Sequence, residues 1–211
     1  MSFGERAGAA LGRQLARPSG VCGHIVGMLM RFANRKPNRR LIEALDIRPH
    51  HRVLDIGCAD GSVLAGLRGV AYRAGVDQSG AMVHAARRRL AIAIGTGRAS
   101  IVQSDMLALP FPNHSFDRLI ASNVLYFCRE VPGFLAECRR VGRDGARLGI
   151  YVTSKRSMAS WSFASAATHR HFDRADLEEV FAAAGIKREA YRVDTISLPR
   201  GIEGLIAIVE L

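Results

Sequence analysis
Four aspartates in the first half of the chain set out what this sequence could do chemically. Asp55 and Asp60 bracket the small residues Gly57-Cys58-Ala59 ahead of Gly61, Asp77 lies 20 residues past Gly57, and Asp105 follows further on. Glycine at 57 and 61 lets a ligand come close to the backbone. A dinucleotide fingerprint reads G-x-G-x-x-G and seats a pyrophosphate on a helix N-terminus. This run reads G-x-x-x-G, with a carboxylate before it and another inside it. Like charges 4 Å apart cost roughly 4 kcal/mol at an effective dielectric of about 20, so a pyrophosphate is a poor tenant. A nucleoside that carries an ammonium and a sulfonium is a good one. An acidic residue about 20 positions past such a turn is the usual partner of ribose hydroxyls. Its two oxygens can accept from both of them. Asp77 could instead only cap the helix behind it.

Each aspartate needs an element to deliver it. Residues 52–56 read as a short strand buried on both faces, as parallel strands are, and 57–61 as a turn. A helix follows from Ser62 to about Arg68, capped by Asp60 or Ser62. Residues 71–76 form a second strand closed by Asp77, and 79–94 a helix that Ser79 can cap and that Gly95-Thr96-Gly97 ends. Residues 99–103 form a third strand left through Ser104-Asp105-Met106. Further strands are expected at 116–121 and 147–153, with a helix at 131–141 and a turn at 143–145 between them. An amphipathic helix at 174–185 starts at Asp173. Alternating segments 189–196 and 201–209 make a closing hairpin about Pro199-Arg200-Gly201. Asp55, Asp77 and Asp105 thus end three successive strands and share the carboxyl edge of one α/β sheet, where such folds bind ligands.

At this point the chain resembles a family, the class I S-adenosylmethionine-dependent methyltransferases. Val53 to Gly61 is similar to their first motif, hydrophobic-hydrophobic-Asp/Glu-x-Gly-x-Gly-x-Gly, with Ala59 in place of the middle glycine. Alanine there demands a negative φ or some strain. The stretch Leu109-Pro110-Phe111-Pro112, then Ser115-Phe116-Asp117, resembles the ubiquinone/menaquinone C-methyltransferase-like branch. The resemblance covers about residues 40 to 210. It implies a Rossmann-like, doubly wound, seven-stranded sheet, mostly parallel with a C-terminal antiparallel strand, and helices on both faces. It implies S-adenosyl-L-methionine as cofactor, and no metal. It implies that Asp55, Gly57, Cys58, Ala59 and Gly61 line the cofactor, that Asp77 takes the ribose, and that Gln78 and Met82 flank the adenine. Asp105 and the Met106 backbone would meet the adenine edge, Asn123 the methionine moiety, and Tyr126 the acceptor. Tyr126 could equally be a packed aromatic with its hydroxyl at the surface.

The acceptor side is less marked. Residues 1–46 form an N-terminal helical appendage or lid ahead of the methyltransferase domain at 47–211. Within the appendage His24, Met28, Met30 and Phe32 would suit an adaptable apolar pocket; packing on the domain is the alternative. Trp161, the sole tryptophan, could wall the acceptor. His24, His114 and Tyr126 are the candidate bases. His169 and His171 read as surface histidines, since no acidic or cysteine partner stands at metal spacing.

Net charge is +11, and Lys36, Lys155 and Lys187 are the only lysines, so arginine supplies 27 of the 30 basic residues. Arg35–Arg40, Arg87–Arg89 and Arg139–Arg143 cluster without interleaved aromatics, so bases have no stacking platform. Solvated helix faces account for such charge as well as a nucleic-acid partner does. Cys22, Cys58, Cys128 and Cys138 form no C-x-x-C pair and read as reduced thiols of a cytoplasmic protein. No apolar run reaches the roughly 20 residues of a membrane span. A small-molecule methyltransferase is the first reading. An RNA-modifying enzyme and a non-catalytic cofactor-binding protein are the alternatives.

Overall fold
A computed structural model describes residues 34–159, 161 and 169–211. One sheet of seven strands organises them: β1 (Arg52–Ile56), β2 (Tyr72–Asp77), β3 (Ala99–Gln103), β4 (Phe116–Ser122), β5 (Gly142–Thr153), β6 (Tyr191–Ser197) and β7 (Glu203–Glu210), in spatial order β3-β2-β1-β4-β5-β7-β6. The first five run parallel, and β7 is antiparallel to both β5 and β6. The order reverses between β1 and β4, the kind of switch point beside which open α/β sheets bind ligands.

Alternate strand residues feed two cores, one on each face. Leu54 and Ile56 join the core under the helices Val131–Val141 and Arg174–Ala183, while Val53, Ile101 and Ile120 join the core on the other face. That second face is covered by the helix Gly80–Arg89 and by a helix through residues 34–45. Leu41 and Leu45 of the latter are fully buried. They lie where a side chain at Gly149 would be, so the bare backbone of β5 lets the helix settle onto the sheet.

Expected and observed elements differ at ends and joints. The 79–94 helix breaks at Leu90 into Gly80–Arg89 and Ala91–Gly95. The 62–68 helix stops at Gly66. Its N-cap is Gly61, with no side-chain bond; Asp60 instead turns back to accept the Ser62 N–H at 3.2 Å. β5 begins at Gly142, because its first residues pair with Phe116 through a register shift where a free turn was expected. Among the described residues no helix is long and apolar enough to cross a membrane.

Candidate functional site
The parallel register places the acidic positions at one edge but at different depths. Asp55 pairs with Gly75, Ile56 with Val76 and Asp77 with Gln103. Asp55 therefore sits a step below the rim, and Asp77 on it. Asp55 is only 3% exposed. Burial first, and the negative field of Asp77 second, push its carboxyl up to about 8, so it holds a proton at neutral pH. Asp60 is not an open carboxylate either: Arg89 Nη2 donates to it at 2.7 Å and Arg89 Nε donates to its carbonyl at 2.9 Å. The two carboxylates that bracket the turn are thus unlike: burial raises the one, and an arginine pairs the other.

Asp77 carries the geometry. Its Oδ2 accepts the Ala59 N–H at 2.9 Å and its Oδ1 the Ser79 N–H at 2.8 Å. One carboxylate thereby ties the glycine turn of β1 to the start of the next helix. Burial raises its carboxyl, and these two N–H donors oppose the rise. Ser79 caps that helix, accepting from the Met82 N–H at 3.4 Å, so Asp77 is not needed as the cap. The turn itself is left-handed at Gly57, Ala59 and Gly61, with φ of 75°, 46° and 71°. Ala59 takes the strained alternative, a positive φ. Cys58 is buried and its thiol is held well above the usual range by burial.

Around this clamp lie the other expected cofactor positions. The Gln78 carbonyl accepts from Gln103 Nε2 at 3.0 Å, and Met82 is buried. The Ser104 N–H donates to the Asp77 carbonyl at 3.2 Å, bringing the exit of β3 beside that of β2. There Asp105 is exposed and accepts the Leu107 N–H at 2.9 Å, while Met106 is half-buried. Asn123 leaves β4 at φ 58°, a conformation asparagine tolerates. Its Oδ1 accepts the Tyr126 hydroxyl at 3.0 Å. Its Nδ2 is buried with no hydrogen-bond partner among the described residues, a donor that a ligand would satisfy.

On the acceptor side several expectations change. Tyr126 is buried and its hydroxyl is not at the surface. It donates to Asn123 and accepts the Thr153 N–H. Burial raises its pKa. His114 precedes β4 and is exposed. It stands at the amino edge of the parallel strands, across the sheet from Asp77. His169, expected at the surface, is 5% exposed and packs on Phe127 and Tyr126 with ring centroids 4.9 and 6.0 Å away. Burial lowers its pKa. No sequence signal near position 169 reveals this contact, which joins the chain after β5 to the chain after β4. Trp161 is half-buried against the same core. His24, Met28, Met30, Phe32 and Cys22 lie outside the described residues. Among the described residues no group of three His, Cys, Asp or Glu side chains gathers to hold a metal.

Some of the clustered arginines are tied into the fold. Arg140 grips Glu137 at 2.7 Å and the carbonyls of Leu109 and Phe111 at 2.8 and 2.7 Å, closing the proline loop before β4. Arg87 donates to the Ile101 carbonyl at 3.0 Å, and Arg143 pairs with Asp117 at 3.2 Å.

Comparison with known proteins bears on this geometry. The family described as "Methyltransferase domain" matches residues 54–150. The chain is 32% identical over 123 residues to methyltransferase GfsG of Streptomyces halstedii, covering 56% of this chain and 43% of that protein. It is 31% identical over 157 residues to a malonyl-[acyl-carrier protein] O-methyltransferase of Halorhodospira halophila, covering 69% of this chain and 52% of that protein. The chain therefore spans about half the length of these relatives. The methyltransferase solved in complex with the Haloferax volcanii Trm112 methyltransferase activator superposes with a TM-score of 0.74 at 19% identity, covering 87% of this chain and 92% of that one.

Proposed function
We propose that the chain is a class I S-adenosylmethionine-dependent methyltransferase and that it moves a methyl group from S-adenosyl-L-methionine to a small-molecule acceptor. The observation that carries the reading is the Asp77 clamp, which holds the Ala59 and Ser79 N–H groups at 2.9 and 2.8 Å on the sheet's carboxyl edge. The residues present fit the cofactor. Asp77 receives the ribose hydroxyls; Gln78, Met82, Asp105 and Met106 border the adenine; Asp55, Gly57, Cys58, Ala59 and Gly61 form the floor. Asn123 Nδ2, a buried donor with no partner among the described residues, is assigned to the methionine end.

The cofactor supplies a methyl carbon activated by its positive sulfur. The protein's own part is to hold, align and exclude water, and alignment alone is worth roughly 7–11 kcal/mol of such a barrier. A small acceptor is favoured over RNA because the arginine clusters carry no interleaved aromatics on which bases could stack, and Arg87 and Arg140 are taken up in contacts within the fold. Trp161 belongs to the acceptor side in this reading, and the enzyme acts in the cytoplasm, with Cys58, Cys128 and Cys138 as buried thiols. Labelled methyl transfer into a host metabolite extract, with the product identified by mass spectrometry, tests it. A labelled small molecule is expected. Label only in RNA would replace the acceptor class, and tight S-adenosylhomocysteine binding with no labelled product would leave a cofactor-binding protein without catalysis.

A further inference from the structure
The helix through residues 34–45 lies along β4 with its start at the carboxyl edge of the sheet. The hydroxyl of Ser122, the last residue of β4, donates to Asn38 Oδ1 at 2.6 Å. Near the start of β4, Arg118 Nε donates to the Leu45 carbonyl at 2.9 Å. Leu41 and Leu45 are fully buried beneath the helix. Asn38 is thereby fixed against the residue before Asn123, the side chain assigned to the methionine end.

About that anchor opens a cavity of about 460 Å³, lined among the described residues by Arg35, Lys36 and Arg39. Small-molecule sites run from about 300 to 1,000 Å³, so the volume suits a compact ligand. All three lining side chains are cations. Over residues 34–45 four basic side chains, Arg35, Lys36, Arg39 and Arg40, stand against one carboxylate, Glu43. That carboxylate is shared, 3.5 Å from Arg39 Nε and 3.7 Å from Arg40 Nη1. Both contacts are open to water, where such pairs hold weakly. Positive charge is in excess here, and a cleft lined by one sign of charge concentrates the other.

We propose that this cavity seats the acceptor and that the acceptor is a small anion, its carboxylate or phosphate group held by Arg35, Lys36 and Arg39. The inference rests on the methyltransferase reading and adds the acceptor's charge to it. The planar fork of an arginine offers paired N–H donors to carboxylate or phosphate oxygens, and the Lys36 ammonium adds a point charge. An amine acceptor is repelled by the same three side chains. A nucleic acid fits less well, because the charge converges on a cavity and no aromatic stands among the three for a base to stack on.

The test uses the full chain, S-adenosylmethionine and the acceptor identified from host metabolite extract. That acceptor should be an anion at pH 7, and mass spectrometry tells a carboxylate from a phosphate. Lys36→Gln and Arg39→Gln should each raise its KM by about 10-fold, the scale of a lost hydrogen bond to a charged group, with kcat and S-adenosylhomocysteine affinity unchanged. Arg40→Gln removes the same charge from the same helix, outside the lining, and should leave KM at the wild-type value. Added salt should raise the wild-type KM and act less on Arg39→Gln. Inorganic pyrophosphate should bind the wild-type protein in calorimetry, in competition with the acceptor and not with S-adenosylhomocysteine. Combining Arg35→Gln, Lys36→Gln and Arg39→Gln should abolish that binding. A neutral or cationic acceptor, or a KM raised as much by Arg40→Gln as by Arg39→Gln, would overturn the assignment and leave methyl transfer standing. Label found only in RNA would give the charge to a polyanion and overturn the small-anion seat. Pyrophosphate binding that is absent, or equal in the wild type and the triple variant, would overturn it even in a protein that transfers no methyl, an outcome that by itself removes only the functional reading.

Discussion
The two halves of the carboxyl edge are built on different principles. The β1–β2–β3 half is held by backbone groups: one carboxylate, Asp77, collects N–H donors from two segments 20 residues apart in sequence, and the ends of β2 and β3 are stitched by a main-chain bond. The β4–β5 half has main-chain bonds too, such as the Asn123 N–H to the Tyr151 carbonyl at 2.9 Å, but it adds side chains to them, with Tyr126 bridging Asn123 and Thr153 and His169 packed on the rings. A backbone site tolerates changes of side chain but not of φ. A side-chain site can be re-shaped residue by residue. One half can then keep a constant ligand while the other varies its acceptor.

The contrast breaks most readily at Gly57. Its φ is 75°, and a Cβ there would overlap the Val124 side chain, which belongs to the other half of the edge. Gly57→Ala combines a left-handed penalty of about 1–2 kcal/mol with overpacking of about 1–3 kcal/mol. A loss of about 2–5 kcal/mol in denaturant unfolding is expected, with S-adenosylhomocysteine binding too weak to measure by calorimetry. A variant as stable as wild type would show that the turn can move away from Val124.

Asp77→Ala and Tyr126→Phe set the halves against each other. Without the carboxylate, ribose hydroxyls and two N–H groups lose their acceptor, and binding should weaken by about 1–3 kcal/mol, roughly 10- to 100-fold in calorimetry. Removing the Tyr126 hydroxyl leaves Asn123 Oδ1 and the Thr153 N–H buried without it. That should cost about 1–3 kcal/mol of stability while cofactor affinity holds. If Tyr126→Phe weakened the cofactor as much as Asp77→Ala does, the two halves would be one unit.

The same division decided what the sequence could say. Asp55, Asp77 and Asp105 were legible because strand ends, glycine spacing and a fixed interval of 20 residues are local signals. β1, β3 and the Val131–Val141 helix fall where hydrophobic pattern and caps place them. What is not local was lost. Burial that protonates Asp55 depends on what covers it, the Arg89–Asp60 pair spans 29 residues, and the packing of His169 on Phe127 spans 42. A lone histidine after an aromatic stretch carries no mark of the strand whose exit it will meet. The break at Leu90 was missed for another reason: its residues keep good helix propensity, and only three-dimensional packing bends the chain there.

Proton linkage gives a finer measure. Asp55 is pushed up to about 8, mainly by burial and then by Asp77. A folded value above the unfolded one means that stability is fully present below about pH 4 and is lost as pH rises toward 8. A bound cation favours the ionised carboxylate, so binding releases a proton and affinity climbs with pH, by up to about tenfold per unit, until it levels near 8. Calorimetry of S-adenosylmethionine in buffers of different ionisation enthalpy reads the proton directly. Asp55→Asn should flatten the slope. A wild-type affinity that is level between pH 6 and 8 would mean that Asp55 keeps its proton with the cofactor bound.

The smallest effect expected is at Ala59, where the chain departs from the glycine pattern of the family it resembles. Its φ of 46° and its exposed position mean that the methyl group strains the turn and buries little in return. Ala59→Gly should recover about 1–2 kcal/mol of left-handed strain and give back about 0.4–1 kcal/mol to the freer unfolded chain. A net gain between nothing and about 1.6 kcal/mol follows, seen as a rise in Tm of at most about 6 °C. Because the N–H at position 59 reaches Asp77 whatever side chain it carries, cofactor affinity should stay within about twofold, well inside 1 kcal/mol. A Tm that fell would locate a packing role for the Ala59 methyl. Affinity that rose tenfold would mean that strain in this turn acts on the cofactor, and the backbone half of the edge would then depend on side chains as well.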